Sequence, residues 1–379
     1  MDQPIYLDYA AATPLDERVL AAMQPYLTGV FYNPSATYVA AQKVKAELLA
    51  ARTLVAHWLG ARPSEVVFTA GGTEANNLAI HGVMRQHPGT NLVVSAIEHS
   101  AVLAPAAAYD CRQALVDTKG ITDLEHLRSQ IDDQTVLVSI MYANNEIGTV
   151  QPLRQIGQLI ADIRADRKKA GNALPLYFHT DACQAANYLD IHTARLGVDL
   201  LSLNGSKIYG PKQTGVLYVK RGLSLTPLVD GGGQERGLRS GTENVAGAVG
   251  FATALDLAQQ QRHDESKRLQ LLQKTFIDLI HQQLPAAVLN GSLTHRLPNN
   301  VHLTLPGQDN ERLLIALDEQ GIMAAAGSAC SASSEEASKV LAAIGLSEAE
   351  ARASLRFTMG RGTTGAELEH TVQVLARLT

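Results

Sequence analysis

From about residue 40 to about residue 255, short β-rich runs alternate with longer stretches of helical periodicity. This alternation restricts the fold more than any other feature of the chain. Residues 66–69, 92–95, 136–141, 176–180, 200–203 and 216–219 read as strands. Most are apolar at consecutive positions, the pattern of a strand covered on both faces. Between them lie helical patterns such as residues 41–59, where Val44, Leu48, Val55 and Trp58 recur at helical spacing. Strand–helix alternation predicts an α/β fold around a doubly wound, mostly parallel sheet. After Leu255 the texture changes. A polar helical stretch over 259–283 leads to a strand pattern over 301–305 and a helix from Asn310. The expected organisation is a large domain over 15–255 and a smaller α+β domain formed by 1–14 and 256–379.

Composition removes several function classes. Hydrophobic residues make up 46% of the 379 positions and charged residues 18%, too apolar for a disordered chain. The net charge of −5 disfavours a nucleic-acid or anionic-membrane binder. No run approaches 18 apolar residues, and residues 1–4 lack the basic and apolar regions of a secretory signal. Three cysteines, Cys111, Cys183 and Cys330, form no CxxC pair. A cytoplasmic enzyme is the expectation, with no membrane partner and no direct nucleic-acid partner.

Ligands of open α/β sheets sit beyond the carboxyl ends of the strands, so the residues that follow each strand carry the functional signal. Residues 360–365 (GRGTTG) match a dinucleotide-binding fingerprint in letters only, because the 14 residues that follow are too few for the βαβ unit it requires. His179, Asp181 and Cys183 stand at alternate positions after a strand pattern and have zinc-ligand chemistry, but no companion His/Cys pair accompanies them. The strand at 66–69 runs into Gly71, Gly72 and Thr73 before a helix, a place where free amides form an anion cup. The strand at 200–203 leads into Asn204, Gly205, Ser206 and Lys207. An amine, an acid at Asp181 and an anion cup are the three contacts that pyridoxal phosphate requires.

Eleven segments extend this pattern: residues 6–11 (YLDYAA), 33–35 (NPS), 72–74 (GTE), 98–99 (EH), 144–148 (NNEIG), 181–184 (DACQ), 207–212 (KIYGPK), 231–235 (GGGQE), 239–244 (RSGTEN), 327–330 (GSAC) and 355–357 (LRF). In this order the chain resembles the group I cysteine desulfurases, pyridoxal-phosphate enzymes of fold type I and of the class V aminotransferase type. The resemblance implies pyridoxal 5'-phosphate as cofactor, L-cysteine as substrate, and L-alanine plus a persulfide as products. Lys207 resembles the lysine that bonds to the cofactor, Asp181 the partner of its ring nitrogen, and His99 the imidazole stacked on the ring. Asn145 and Gln184 resemble groups beside the cofactor hydroxyl. Gly72 and Thr73 match the phosphate cup, and Thr242 matches a hydroxyl that reaches the phosphate from the neighbouring subunit of a homodimer. Arg356, with Asn33, resembles the substrate-binding set, and Cys330 stands where the persulfide forms.

Residues 324–333 are built from small residues, and the pattern over 333–336 (SSEE) predicts a helix start after the Cys330 segment. The chain also departs from the family. Asn204 and Ser206 replace the usual serine and histidine around the phosphate, with hydroxyl and amide groups able to donate to it. The segment 111–120 is about ten residues shorter than is usual, which trims a strand near the sheet edge. Thr37 or Tyr38 stands near the place of a histidine that commonly follows the 33–35 motif, and the chain ends at Thr379 without the longer tail that some members use to dock a scaffold. The expected partner is a sulfur-acceptor protein, an iron–sulfur scaffold or a transfer-RNA thiolation protein. The alternatives from the same resemblance are a selenocysteine lyase, another class V enzyme, or a non-catalytic sulfur-assembly scaffold.

Overall fold

The computed structural model describes residues 4–327 and 338–379. Seven strands form the central sheet: β1 (Val66–Thr69), β2 (Asn91–Ser95), β3 (Asp110–Ala114), β4 (Thr135–Ser139), β5 (Tyr177–Asp181), β6 (Leu200–Asn204) and β7 (Gly215–Val219). Their spatial order is β1-β7-β6-β5-β4-β2-β3. The β6–β5, β5–β4, β4–β2 and β2–β3 pairs are parallel, and β7 runs antiparallel to both β1 and β6. The sequence pattern finds six of these strands to within two residues at either end. It misses β3, which lies at the sheet edge with only Ala114 fully covered and so shows no apolar run.

Two-sided burial explains the consecutive apolar residues. Val93, Val138, Phe178 and Leu201 enter one core with Val55, Ile156, Ile160 and Phe251. Their chain neighbours Leu92, Val94, Leu137 and Leu200 enter a second core with Leu78, Ile80, Val83 and Val102. Adjacent residues of a strand point to opposite faces, so a strand buried on both sides must be apolar throughout. The helix Gly72–Met84 covers one face; the helices Val39–Leu59 and Leu153–Lys169 cover the other.

A 39-residue helix, Val245–Gln283, runs past the texture change at Leu255 without a break. Its first half, through Ala258, packs in the core of the central sheet, and Leu269, Phe276 and Ile280 pack in a third core. That third core also holds Ile5, Leu7, Val301, Leu303, Leu355, Phe357 and Val372. Within it, the strand Ser354–Thr358 pairs antiparallel with Asn300–Thr304, and the strand Ile5–Tyr6 pairs parallel with Ile322–Met323. Thus the chain's first residues lie beside its last strands and bring 8–11 over the carboxyl ends of the central sheet. The helix Gly365–Leu378 starts at Thr364, whose hydroxyl accepts the Glu367 amide. The glycines of 360–365 therefore lead into a helix cap rather than a nucleotide fingerprint. The predicted helix start at 333–336 lies outside the described residues; the first helix after them is Lys339–Ala343, capped by Ser338.

Candidate active site

The carboxyl ends of the parallel strands open on one side of the sheet, and the side chains that leave them meet in a cavity of about 130 Å³. Gly72, Thr73 and Asn76 come from the helix after β1, and His99 follows β2. Asn145 follows β4, Asp181 ends β5 with Cys183 and Gln184 just beyond, and Asn204 and Lys207 follow β6. Arg356 enters from the second sheet, and Ala10 and Ala11 close the wall.

The amine of Lys207 sits at the end of the single turn Gly205–Lys207 and donates to the carbonyls of Ala10 at 2.7 Å and Ala11 at 2.5 Å. Asn204 shapes that turn: its Oδ1 accepts from the amide and the hydroxyl of Ser206, both at 3.1 Å. Its Nδ2 is left facing Gly72, 3.5 Å from where a Cβ would stand on that glycine. The same Cβ would lie 2.6 Å from Cys183 Sγ, so only glycine lets the first turn of the helix approach β5 and β6 this closely. Asp181 is 7% exposed and accepts from Asn76 Nδ2 at 2.6 Å and from the Cys183 amide at 2.9 Å.

His99 caps the helix Ser100–Ala106 through Nδ1, which accepts the Ala101 amide at 3.0 Å. Burial lowers its pKa, and Lys207 adds to this against the pull of Asp181. This favours the neutral ring, in which Nδ1 accepts and the proton is on Nε2. Burial and then the charge of Asp181 hold the Cys183 thiol well above its ordinary range, which makes it a poor nucleophile. Glu98 is likewise pushed well up by burial and by Asp181, while one of its oxygens accepts the Met141 amide. Arg356, 1% exposed, donates through Nη1 to the Asn145 carbonyl at 2.9 Å and through Nη2 to Asp8 at 2.6 Å. Among the described residues its Nε has no hydrogen-bond partner.

Thus Gly72, Thr73, His99, Asn145, Asp181, Gln184, Asn204, Lys207 and Arg356 converge, and Ser206 sits one hydrogen bond behind Asn204. Asn33 does not join them: it is exposed and its Oδ1 accepts the Ser35 amide. Thr242 is exposed and does not line the cavity of its own chain. Cys330 lies outside the described residues. His179 turns both ring nitrogens to serines, Ser139 at 2.8 Å and Ser202 at 3.0 Å, and burial lowers its pKa to about 4. The sequence reading misses Asn76 and Asp8. Asn76 stands four residues after Gly72 on one helix face, a spacing that could have pointed to it. Asp8 reaches Arg356 from 348 residues away, beyond any local pattern.

The donor set fits pyridoxal phosphate. An amine, a buried carboxylate and the open start of a 13-residue helix face one cavity, and the glycine at that start leaves the amides uncovered.

Comparison with known proteins agrees with the fold. Residues 5–370 match the family model for class-V aminotransferases. A cysteine desulfurase IscS of Dictyoglomus turgidum is 39% identical over 385 residues, covering 100% of this chain and 95% of the relative. A cysteine desulfurase of Rattus norvegicus is 40% identical over 381 residues, covering 98% of this chain and 82% of the relative. Among solved structures, a NifS-like protein superposes with a TM-score of 0.90 at 29% identity, covering 99% of both chains. SspA in complex with cysteine superposes with a TM-score of 0.81 at 35% identity, covering 94% of this chain and 98% of that one. Family model, relatives and fold lead to one conclusion: the chain belongs to the class-V aminotransferase family.

Proposed function

We propose that the protein is a pyridoxal-phosphate-dependent cysteine desulfurase that converts L-cysteine to L-alanine and passes the sulfur to Cys330. The observation that carries the reading is the meeting of Lys207, Asp181 and the Gly72 helix start in one cavity with the guanidinium of Arg356. Full-length relatives named cysteine desulfurase support the same activity.

The bound cofactor supplies an aldehyde that condenses with amines and a protonated ring that draws electrons from the substrate's α-carbon. Everything else falls to the chain. Gly72 and Thr73 amides, with Asn204 Nδ2, hold the phosphate, and Ser206 holds Asn204 in place. Asp181 keeps the ring nitrogen protonated, and Asn76 fixes the carboxylate that does so. His99 covers the ring and offers its Nε2 proton; Asn145 and Gln184 flank the ring hydroxyl. Lys207 would hold the cofactor, and its amine, when free, would take the α-proton of the substrate. Arg356 binds the substrate carboxylate with N–H groups of its planar fork that are not spent on Asn145 and Asp8. Cys330 attacks the substrate sulfur as thiolate: the carbon–sulfur bond breaks, a sulfur–sulfur bond forms, and protons complete alanine. Thr242 of a second copy and Asn33 belong to the proposed dimeric site. A cytoplasmic homodimer serving a sulfur-acceptor protein completes the reading.

The test is to mix holoenzyme with cysteine and measure alanine, sulfide and the mass of the Cys330 peptide. The wild type should gain one sulfur there and form alanine. Cys330→Ser should bind cysteine, with the colour of the cofactor retained, yet release neither product. Sulfide release at the wild-type rate from Cys330→Ser would refute the role of Cys330 and favour a lyase that needs no thiol.

A further inference from the structure

The turn that carries Asn145 into the cavity also carries a carboxylate whose role the reaction leaves unexplained. Asn144 locks this turn: its Oδ1 accepts the amides of Glu146 and Ile147, both at 2.9 Å, and its Nδ2 donates to the Ile97 carbonyl at 3.0 Å. The Asn145 carbonyl then accepts a hydrogen bond from Arg356 Nη1. The next side chain, Glu146, is 6% exposed. Its Oε2 accepts the Ser338 hydroxyl at 2.6 Å and lies 3.2 Å from the place a Cβ would occupy on Gly327.

Gly327 and Ser338 are the residues on either side of 328–337, the stretch that contains Cys330. The same carboxylate oxygen therefore hydrogen-bonds the residue that follows that stretch and lies beside the residue that precedes it. The backbone adds a third tie, because Ala325 exchanges hydrogen bonds with Arg356, at 3.1 and 2.6 Å. Burying a carboxyl group here is costly unless it is hydrogen-bonded, and packing alone would be served by an apolar residue of the same size. The acid is placed where it joins two chain ends to the turn that also holds Arg356.

We propose that Glu146 is a positioning residue for sulfur transfer. Its carboxylate holds Ser338, and packs beside Gly327, on the turn that also binds Arg356, so that the two described residues flanking the Cys330 stretch share one frame with the guanidinium. This rests on the role given to Cys330 above. Placement of two reacting groups is the step to which catalysis is most sensitive, and an ångström of misplacement costs about 100-fold.

The experiment follows the gain of one sulfur on the Cys330 peptide after holoenzyme is mixed with cysteine. Glu146→Ala and Ser338→Ala should each slow that gain by about 100-fold. Glu146→Gln, which keeps an acceptor oxygen, should restore most of the rate. The double variant Glu146→Ala/Ser338→Ala should be no slower than the slower single one, because both remove the same contact. Cofactor retention and the cysteine titration of the cofactor absorbance should stay within about threefold of wild type. Unchanged loading in the single variants, multiplied losses in the double one, or a parallel fall in cofactor retention would overturn the proposal. Each of these leaves the desulfurase reading standing if wild-type Cys330 still gains its sulfur. Failure of the wild type to load Cys330 would instead overturn that reading, and this proposal with it.

Discussion

Arg356→Lys separates the charge of the arginine from its shape. The guanidinium is nearly inaccessible and donates at 2.9 Å to Asn145 and at 2.6 Å to Asp8, which uses two of its five N–H groups. Deleting the cation would leave Asp8 without its partner, at about 3–5 kcal/mol for a broken buried pair. Lysine keeps the charge, so the fold should survive. A single ammonium cannot satisfy Asp8, the Asn145 carbonyl and a ligand carboxylate with a planar fork of donors. The loss is one charged hydrogen bond to the substrate, about 1.5–3 kcal/mol, or about 10–150-fold in kcat/KM for cysteine. The assay compares cysteine with cysteamine, which lacks the carboxylate, by titrating the cofactor absorbance and measuring sulfide release from cysteine. Affinity for cysteamine should be the same in variant and wild type, and only the cysteine parameters should fall. Equal losses for both ligands, or no loss for cysteine, would refute the assignment of Arg356 to the substrate carboxylate.

Two further outcomes follow from the packing. Gly72→Ala would drive a methyl group into Cys183 Sγ and against Asn204, so the variant should fold but lose its cofactor on dialysis, read from the visible absorbance. Burial, helped by the charges of Arg296 and Arg356, depresses His302 to about 3, and burial depresses His179 to about 4, whereas unfolded imidazoles titrate near ~6.5. Between these values the unfolded chain binds protons that the fold refuses, so stability is intact above ~6.5 and is lost as pH falls through that window. His302→Asn should flatten the acid side of the stability curve in denaturant titrations; an unchanged slope would exclude His302 as a source.

Much of the cavity was legible because its chemistry lies in short motifs at strand ends. Strands β1, β5 and β6 are buried along most of their length, and Gly72, Asp181 and Lys207 each stand within three residues of a strand's end. Asn204 and Ser206 were visible as residue types, but their division of labour was not. Only the tertiary structure shows that the Ser206 hydroxyl donates to Asn204 Oδ1 while Nδ2 of Asn204 faces Gly72. Asn33 and Thr242 show the opposite limit: their motifs are legible, yet a single chain leaves both outside its own cavity.

By itself the sequence determined the layered α/β architecture, since strands covered on both faces must be apolar throughout and the helices between them must carry a 3.6-residue stripe. It also determined the chemical types available at each strand end. The tertiary structure decided which groups restrain one another. Asp8 on Arg356, Asn76 on Asp181, the Ala10 and Ala11 carbonyls on Lys207, and Glu146 between Gly327 and Ser338 join positions about 100 to 350 residues apart. Such contacts obey no local period, because they arise where separate strands and loops are brought to one edge of the sheet. Periodicity reports which face of an element is buried; it carries no information about the partner that buries it.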